Sequence, residues 1–313
     1  MPLDPLIRKL LDAAAAGPRP QDMTISEARE HIRRRVAAIP PNQSRIGPVA
    51  DISINLSSGL APARLYRPDT ACEDVPLIVF FHGGGWAVCD IGTHDGQCRR
   101  ICHESGAAVL SVDYVLAPEA PFPAAFEQCV EATEWSKTGL SDYGIDGSRI
   151  AVCGDSAGGN LAAAVSLAMR DRNMGIPEAQ ALIYPALAPF HCEFRSRRDF
   201  ADGFGLDASQ IEKYWYQYLP GYSGPASTSP YAAPLLAIDF SGLPQTYILT
   251  AEYDPLRDEA EHYAQELLAA GVPVSAQRVH GVNHGFLALE TILPQADQSM
   301  VRLGRWLSQS LSI

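Results

Sequence analysis

Residues 150–171 constrain the fold more than any other stretch of this chain. Ile150-Ala151-Val152-Cys153 is a short apolar run of the kind that forms a buried strand. It runs into Gly154-Asp155-Ser156-Ala157-Gly158, after which Gly159-Asn160-Leu161-Ala162-Ala163-Ala164-Val165 reads as the body of a helix over 158–171. A strand that reverses so abruptly into a helix needs small residues on both sides of the pinch, because neighbouring backbones pass close to it. The reversal lifts the Ser156 hydroxyl above the end of a sheet and sets the Ala157 N–H beside it at a helix N-terminus. The alternative is a structural turn with an incidental serine, and the strand before and helix after argue against it.

The rest of the chain keeps the same rhythm. β-rich runs at 51–56 and 63–66 precede a strongly apolar strand at 76–81. Further strands are expected at 107–112, 179–183, 245–250 and 273–279, with helices at 124–137, 255–270 and 295–309. Continuous apolar strands alternating with helices predict an α/β fold, a mostly parallel sheet covered on both faces. A chain of 313 residues, 47% hydrophobic and 19% charged, can bury one large core.

Two stretches break the alternation. In 1–45, Leu3, Leu6, Ile7, Leu10, Leu11 and Ala14 follow helical spacing, and Thr24-Ile25-Ser26-Glu27 has the pattern of a capping box. That segment stops at Pro40-Pro41 and is expected to stand apart from the sheet-forming part of the chain. Residues 190–235 are aromatic and then Ser/Pro/Gly-rich, without a strand pattern, as expected of a lid or binding element. The expected division is therefore 1–45, 46–189, 190–235 and 236–313.

Lys and Arg number 24 against 36 Asp and Glu, a formal charge of −12 that disfavours nucleic acid and anionic membranes as partners. Seven cysteines, an odd number without a framework of short spacings, favour a reducing compartment. No apolar run approaches the roughly 20 residues of a membrane-spanning helix. Asp12 interrupts the one stretch that resembles an export signal, so a cytoplasmic protein is expected. Self-association is left open.

A serine hydroxyl is a weak nucleophile until a base takes its proton and a third group orients that base. Of eight histidines, His284 lies in the Gly-flanked loop Gly281-Val282-Asn283-His284-Gly285-Phe286 after the last expected strand. His280 is the rival, at the strand's end, where packing would fix its ring. His31, His103, His191 and His262 read as solvated or structural. Asp254 follows the 245–250 strand, with Pro255 placed to open a helix; Asp258 and Glu259 lie inside that helix, where acids serve its dipole.

The loop His82-Gly83-Gly84-Gly85 follows the 76–81 strand, and its glycines let backbone amides turn toward a developing oxyanion. Gly83, Gly84 and Ala157 are the expected donors. No Lys-Ser/Thr follows the glycines, which excludes a Walker-type phosphate loop. His94, Cys98 and Cys102 share a helix face, with His103 adjacent, and in principle suit zinc. Without a CxxC pair or a second cluster they read as packing residues, and no metal is expected.

HGGGW at 82–86, Gly92-Thr93-His94-Asp95, Asp113-Tyr114-Val115-Leu116-Ala117-Pro118-Glu119, GDSAGGN at 154–160, Leu182-Ile183-Tyr184-Pro185, 254–259 and the His284 loop together resemble the hormone-sensitive-lipase-like esterases of the α/β-hydrolase fold. The resemblance covers most of the chain. It implies hydrolysis of carboxylic esters without a cofactor, and a helical cap built from the N-terminal helices and the 190–235 insertion. Val115 stands where the family commonly has Arg, which puts a structural ion pair in doubt. Ser156, Asp254 and His284 would act in the order known for this fold, on short- to medium-chain acyl esters, with Trp86, Tyr184, Phe204, Trp215 and Phe286 as candidate pocket walls. A serine amidase or peptidase on the same three residues, and a non-catalytic small-molecule receptor on the same scaffold, are the alternatives.

Overall fold

The computed structural model describes residues 1–17, 22–70, 74–222 and 228–313. In chain order its elements are α1 (Pro5–Ala15), α2 (Ile25–Ala37), β1 (Val49–Leu56), β2 (Gly59–Tyr66), β3 (Val75–Phe81), α3 (Asp95–Ser105), β4 (Ala108–Val112) and α4 (Ala124–Trp135). Next come β5 (Ile145–Asp155), α5 (Ala157–Asp171), β6 (Ala179–Ile183), α6 (Arg195–Asp199) and α7 (Ala208–Tyr218). The chain closes with β7 (Gln245–Tyr253), α8 (Arg257–Ala269), β8 (Val274–Asn283) and α9 (Pro294–Ser310). Parts of the two segments outside the alternation, 18–21 and 223–227, lie outside the described residues, as does Cys72.

Among the described residues eight strands form one sheet in the order β1-β2-β4-β3-β5-β6-β7-β8. The β1–β2 and β2–β4 pairings are antiparallel and the others parallel. Parallel strands buried on both faces explain the unbroken apolar runs. Along β3, Leu77, Val79 and Phe81 enter the core on one face, with α5, while Ile78 and Phe80 enter the core on the other, with α3 and α9. Each expected strand is present, but β2 starts four residues earlier, at Gly59, β5 starts five residues earlier, at Ile145, and the last strand runs four residues further, to Asn283.

The N-terminal helices form as their pattern dictates. Thr24 accepts from the Glu27 N–H and Glu27 accepts from the Thr24 N–H, closing the capping box of α2. They do not stand apart, however. Ile7 is buried in the core that α9 covers, and Arg29 reaches the backbone of Ala87. Within 190–235 the chain forms α6 and α7, and Lys213 of α7 donates to the Met23 carbonyl before α2 at 2.8 Å. The two extra segments therefore meet each other, at the edge where β3, β5, β6, β7 and β8 end.

Candidate active site

Those strand ends hold the candidate site residues, at the place where ligands usually bind in open α/β sheets, beyond the carboxyl ends of the strands. Ser156 caps α5 with φ +54° and ψ −116°, a conformation costing about 1–3 kcal/mol that surrounding contacts must hold. Its N–H donates to the Ile183 carbonyl at 2.8 Å, and its carbonyl accepts from Asn160 and Ala186. The flanking glycines follow from close approach: a Cβ on Gly158 would stand 1.9 Å from the Phe81 oxygen, and one on Gly154 2.3 Å from the Gly158 oxygen.

Ser156 Oγ lies 2.9 Å from His284 Nε2, and His284 Nδ1 lies 2.8 Å from Asp254 Oδ2. Asp254 is fully buried, and its other oxygen accepts the Leu256 N–H at 2.8 Å. An ionised carboxylate only accepts, so the His284 proton sits on Nδ1 and leaves Nε2 free to take the serine's. His280 is elsewhere: it lies within β8, its side chain 49% exposed, 3.2 Å from Glu252. Packing does not fix its ring, because the longer strand turns it outward to a carboxylate.

The glycine loop departs from expectation at one residue. The Gly83 N–H donates to Asp155 Oδ1 at 2.8 Å and is not available to a ligand. Asp155 is buried next to Ser156 and also lies 3.2 Å from His94 Nε2. Burial opposes its ionisation, but His94 and the Gly83 N–H outweigh that and hold its carboxyl below the usual range. Among the described residues the amides of Gly84, Gly85 and Ala157 donate to no protein acceptor. His94 is thereby committed to Asp155, Cys98 and Cys102 are buried in the core, and no group of three metal-ligating side chains occurs among the described residues.

Four of the five aromatic candidates are corrected as walls. Trp86, Tyr184, Trp215 and Phe286 are at most 2% exposed and offer almost no surface to a ligand. They back the site: Trp86 stacks on Tyr218 at 4.3 Å and meets Trp215 at 4.8 Å, while Tyr184 stands 4.8 Å from the His284 ring with Phe286 behind it. Rings of this size pack against one another where α7 meets the sheet. Phe204 alone is half-exposed; it stacks on Tyr253, and its carbonyl accepts from Asn283 beside His284. Tyr214 of α7 was missed. Its ring lies over Gly85, where a Cβ would come within 2.3 Å of it. Its four-residue spacing to Tyr218 was the available signal.

Residues 78–288 match a family described as having the alpha/beta hydrolase fold. The chain is 42% identical over 273 residues to the carboxylic ester hydrolase LipN of Mycobacterium tuberculosis, covering 86% of this chain and 72% of that one. It is 37% identical over 311 residues to the esterase LipI of the same organism, covering 96% and 92%. Among solved structures it is similar to a hyperthermophilic esterase from the archaeon Pyrobaculum calidifontis, at 39% identity and TM-score 0.90 with 99% of each chain covered. A thermostable esterase from Pseudomonas putida superposes with TM-score 0.94 at 31% identity, covering 100% of this chain and 98% of that one.

Proposed function

This chain belongs to the hormone-sensitive-lipase-like carboxylic ester hydrolases of the α/β-hydrolase fold, and from that premise we propose that it cleaves short- to medium-chain acyl esters through an acyl-enzyme on Ser156. The unbroken line of hydrogen bonds Ser156–His284–Asp254 carries the proposal. Ser156 Oγ attacks the ester carbonyl while His284 Nε2 takes its proton, and Asp254 holds the imidazole and stabilises its charged form. The carbonyl oxygen, now anionic, is met by the amides of Gly84, Gly85 and Ala157, with the N-terminus of α5 behind the last of these. Collapse of the tetrahedral intermediate breaks the bond to the alcohol, which leaves with the proton from His284. Water then attacks the acyl carbon as it gives a proton to His284, and collapse breaks the bond to Ser156 Oγ, which takes that proton back as the acid leaves.

Helices α1, α2, α6 and α7 act as a cap over this site, and the enclosed space favours acyl chains of about four to eight carbons over long-chain emulsions. The six described cysteines are all free, which supports a reducing, cytoplasmic setting. Among the described residues no helix is long and apolar enough to cross a membrane. The direct test is reaction with a serine-directed alkyl phosphonate followed by peptide mapping. Modification of Ser156 alone is expected, with none in Ser156→Ala; modification of another residue, or none in the folded protein, overturns the proposal.

A further inference from the structure

The segment after β3 holds an unusual backbone: φ is +112° at Gly84, +58° at Gly85, +58° at Trp86 and +71° at Cys89. Trp86 and Cys89 are not glycines, so this path must be held from outside. Helix α7 supplies two of the holding contacts, Tyr214 over Gly85 and Tyr218 against Trp86. The third comes from α2. Arg29 Nε donates to the Ala87 carbonyl at 2.8 Å, and its Nη2 donates to the Ala117 carbonyl at 3.2 Å. Both Nη atoms also reach the Glu119 carboxylate, at 2.8 and 2.7 Å. The Ala117 N–H in turn donates to the Trp86 carbonyl at 2.8 Å, so the fork grips two loops that are already tied together.

The contact at Ala87 reaches the glycines through two rigid units. A peptide is planar, so fixing its carbonyl fixes the N–H across it. The peptide whose carbonyl Arg29 holds carries the Val88 N–H at its other end, and that N–H donates to the Gly84 carbonyl at 3.0 Å. The peptide that owns the Gly84 carbonyl carries the Gly85 N–H. Arg29 is thus two peptide planes away from an amide assigned to the oxyanion. Val115 leaves this neighbourhood without a guanidinium of its own; its N–H is taken by Gln128.

We propose that Arg29 is a positioning residue for ester hydrolysis, setting the Gly84–Gly85 peptide from the cap through Ala87. The proposal rests on acyl transfer through Ser156. A group that acts on the oxyanion alone lowers kcat and leaves KM nearly unchanged. Arg29→Met is therefore expected to lower kcat for p-nitrophenyl butyrate by about tenfold or more, with KM within about twofold. Its affinity for an alkyl trifluoromethyl ketone, which forms a tetrahedral oxyanion on serine, is expected to fall by a similar factor. Arg29→Lys keeps a charge near Glu119 but lacks the planar fork, and is expected to lose part of the same rate. Arg33→Met, which removes only the neighbouring ion pair of α2 with Asp90, is expected to keep kcat.

A folded Arg29→Met with wild-type kcat and ketone affinity overturns the proposal, as does a loss confined to KM. Should Arg29→Met fail to fold, Arg29→Lys decides on the same two readouts, full kcat and ketone affinity counting against positioning. A wild-type protein that takes no phosphonate at Ser156 sinks the acyl-transfer reading and this one with it. Normal wild-type labelling with an unimpaired Arg29 variant sinks only this one.

Discussion

A hydroxyl becomes a nucleophile only where a base, an orienting acid and an unsolvated landing place for charge converge, and at the residue scale that convergence rests on a few close contacts. His284 sits 2.9 Å from Ser156 and 2.8 Å from Asp254, so each deletion should show in the chemical step. His284→Ala and Asp254→Asn are expected to lower kcat on the order of 10⁴-fold with the fold intact, measured on p-nitrophenyl butyrate beside circular dichroism. Retention of even a tenth of wild-type turnover in His284→Ala would point to another base. That these three side chains would meet was readable from the sequence, because each follows a strand and they fall in the chain order of this fold. Gly83 was not readable. Three successive glycines look alike in a string, and which amide is left free is decided by Asp155, which reaches across from the end of the neighbouring strand β5 to claim the first of them.

At the scale of elements, periodicity located the strands and helices well because burial on both faces of the sheet writes itself into apolar runs. It could not say where α1, α2, α6 and α7 dock. Glu259 illustrates why: an acid in the first turn of a helix ordinarily serves the dipole, yet here it is fully buried and paired with Arg197 of α6. Its carboxylate also accepts the N–H groups of Leu187 and Ala188, so one residue of α8 fastens both α6 and the loop after β6. Burial raises its pKa above the ordinary value, with Arg197 opposing. Arg197→Met, which strands that carboxylate, should destabilise the fold by about 3–5 kcal/mol in urea titration. A cost under about 1 kcal/mol would mean the pair is not what holds α6. On α7, Tyr214 is the ring that lies over the glycine loop. Tyr214→Ala should loosen that loop and lower kcat for p-nitrophenyl butyrate by about tenfold, and an unchanged kcat would remove Tyr214 from the loop's supports.

Across the whole molecule two buried groups with opposite leanings shape the response to pH. His82 is fully enclosed; burial first, and then its neighbour His94, push its imidazole down to about 4. The unfolded chain protonates this ring near its ordinary 6.5, so its contribution is present above that value and is lost as pH falls toward 4. Burial pushes the Glu290 carboxyl up to about 7, against the hydrogen bond from Asn42. A raised carboxyl works the other way: native protein holds the proton up to about 7 and the unfolded chain only to about 4.5, so stability falls as pH rises between them. Glu290→Gln should therefore raise the melting temperature at pH 8, by an amount reflecting on the order of 2 kcal/mol, and the gain should vanish near pH 4.5. A difference from wild type that does not change with pH would contradict this. The enclosure of neither group was legible in the sequence, although His82 lies in the glycine-loop motif, since burial by distant segments cannot be seen in a local pattern.

The central claim is that ester cleavage passes through a covalent bond to one serine, and it can be watched as it forms. Mixing the protein with excess p-nitrophenyl butyrate, quenching with acid within the first turnovers and weighing the intact chain and its peptides provides the observation. The account predicts one butyryl group per chain, on Ser156, appearing with a burst of nitrophenol and decaying as butyrate is released. Nitrophenol released at the full steady rate with no acyl group on the chain, or with the group on another residue, would contradict it.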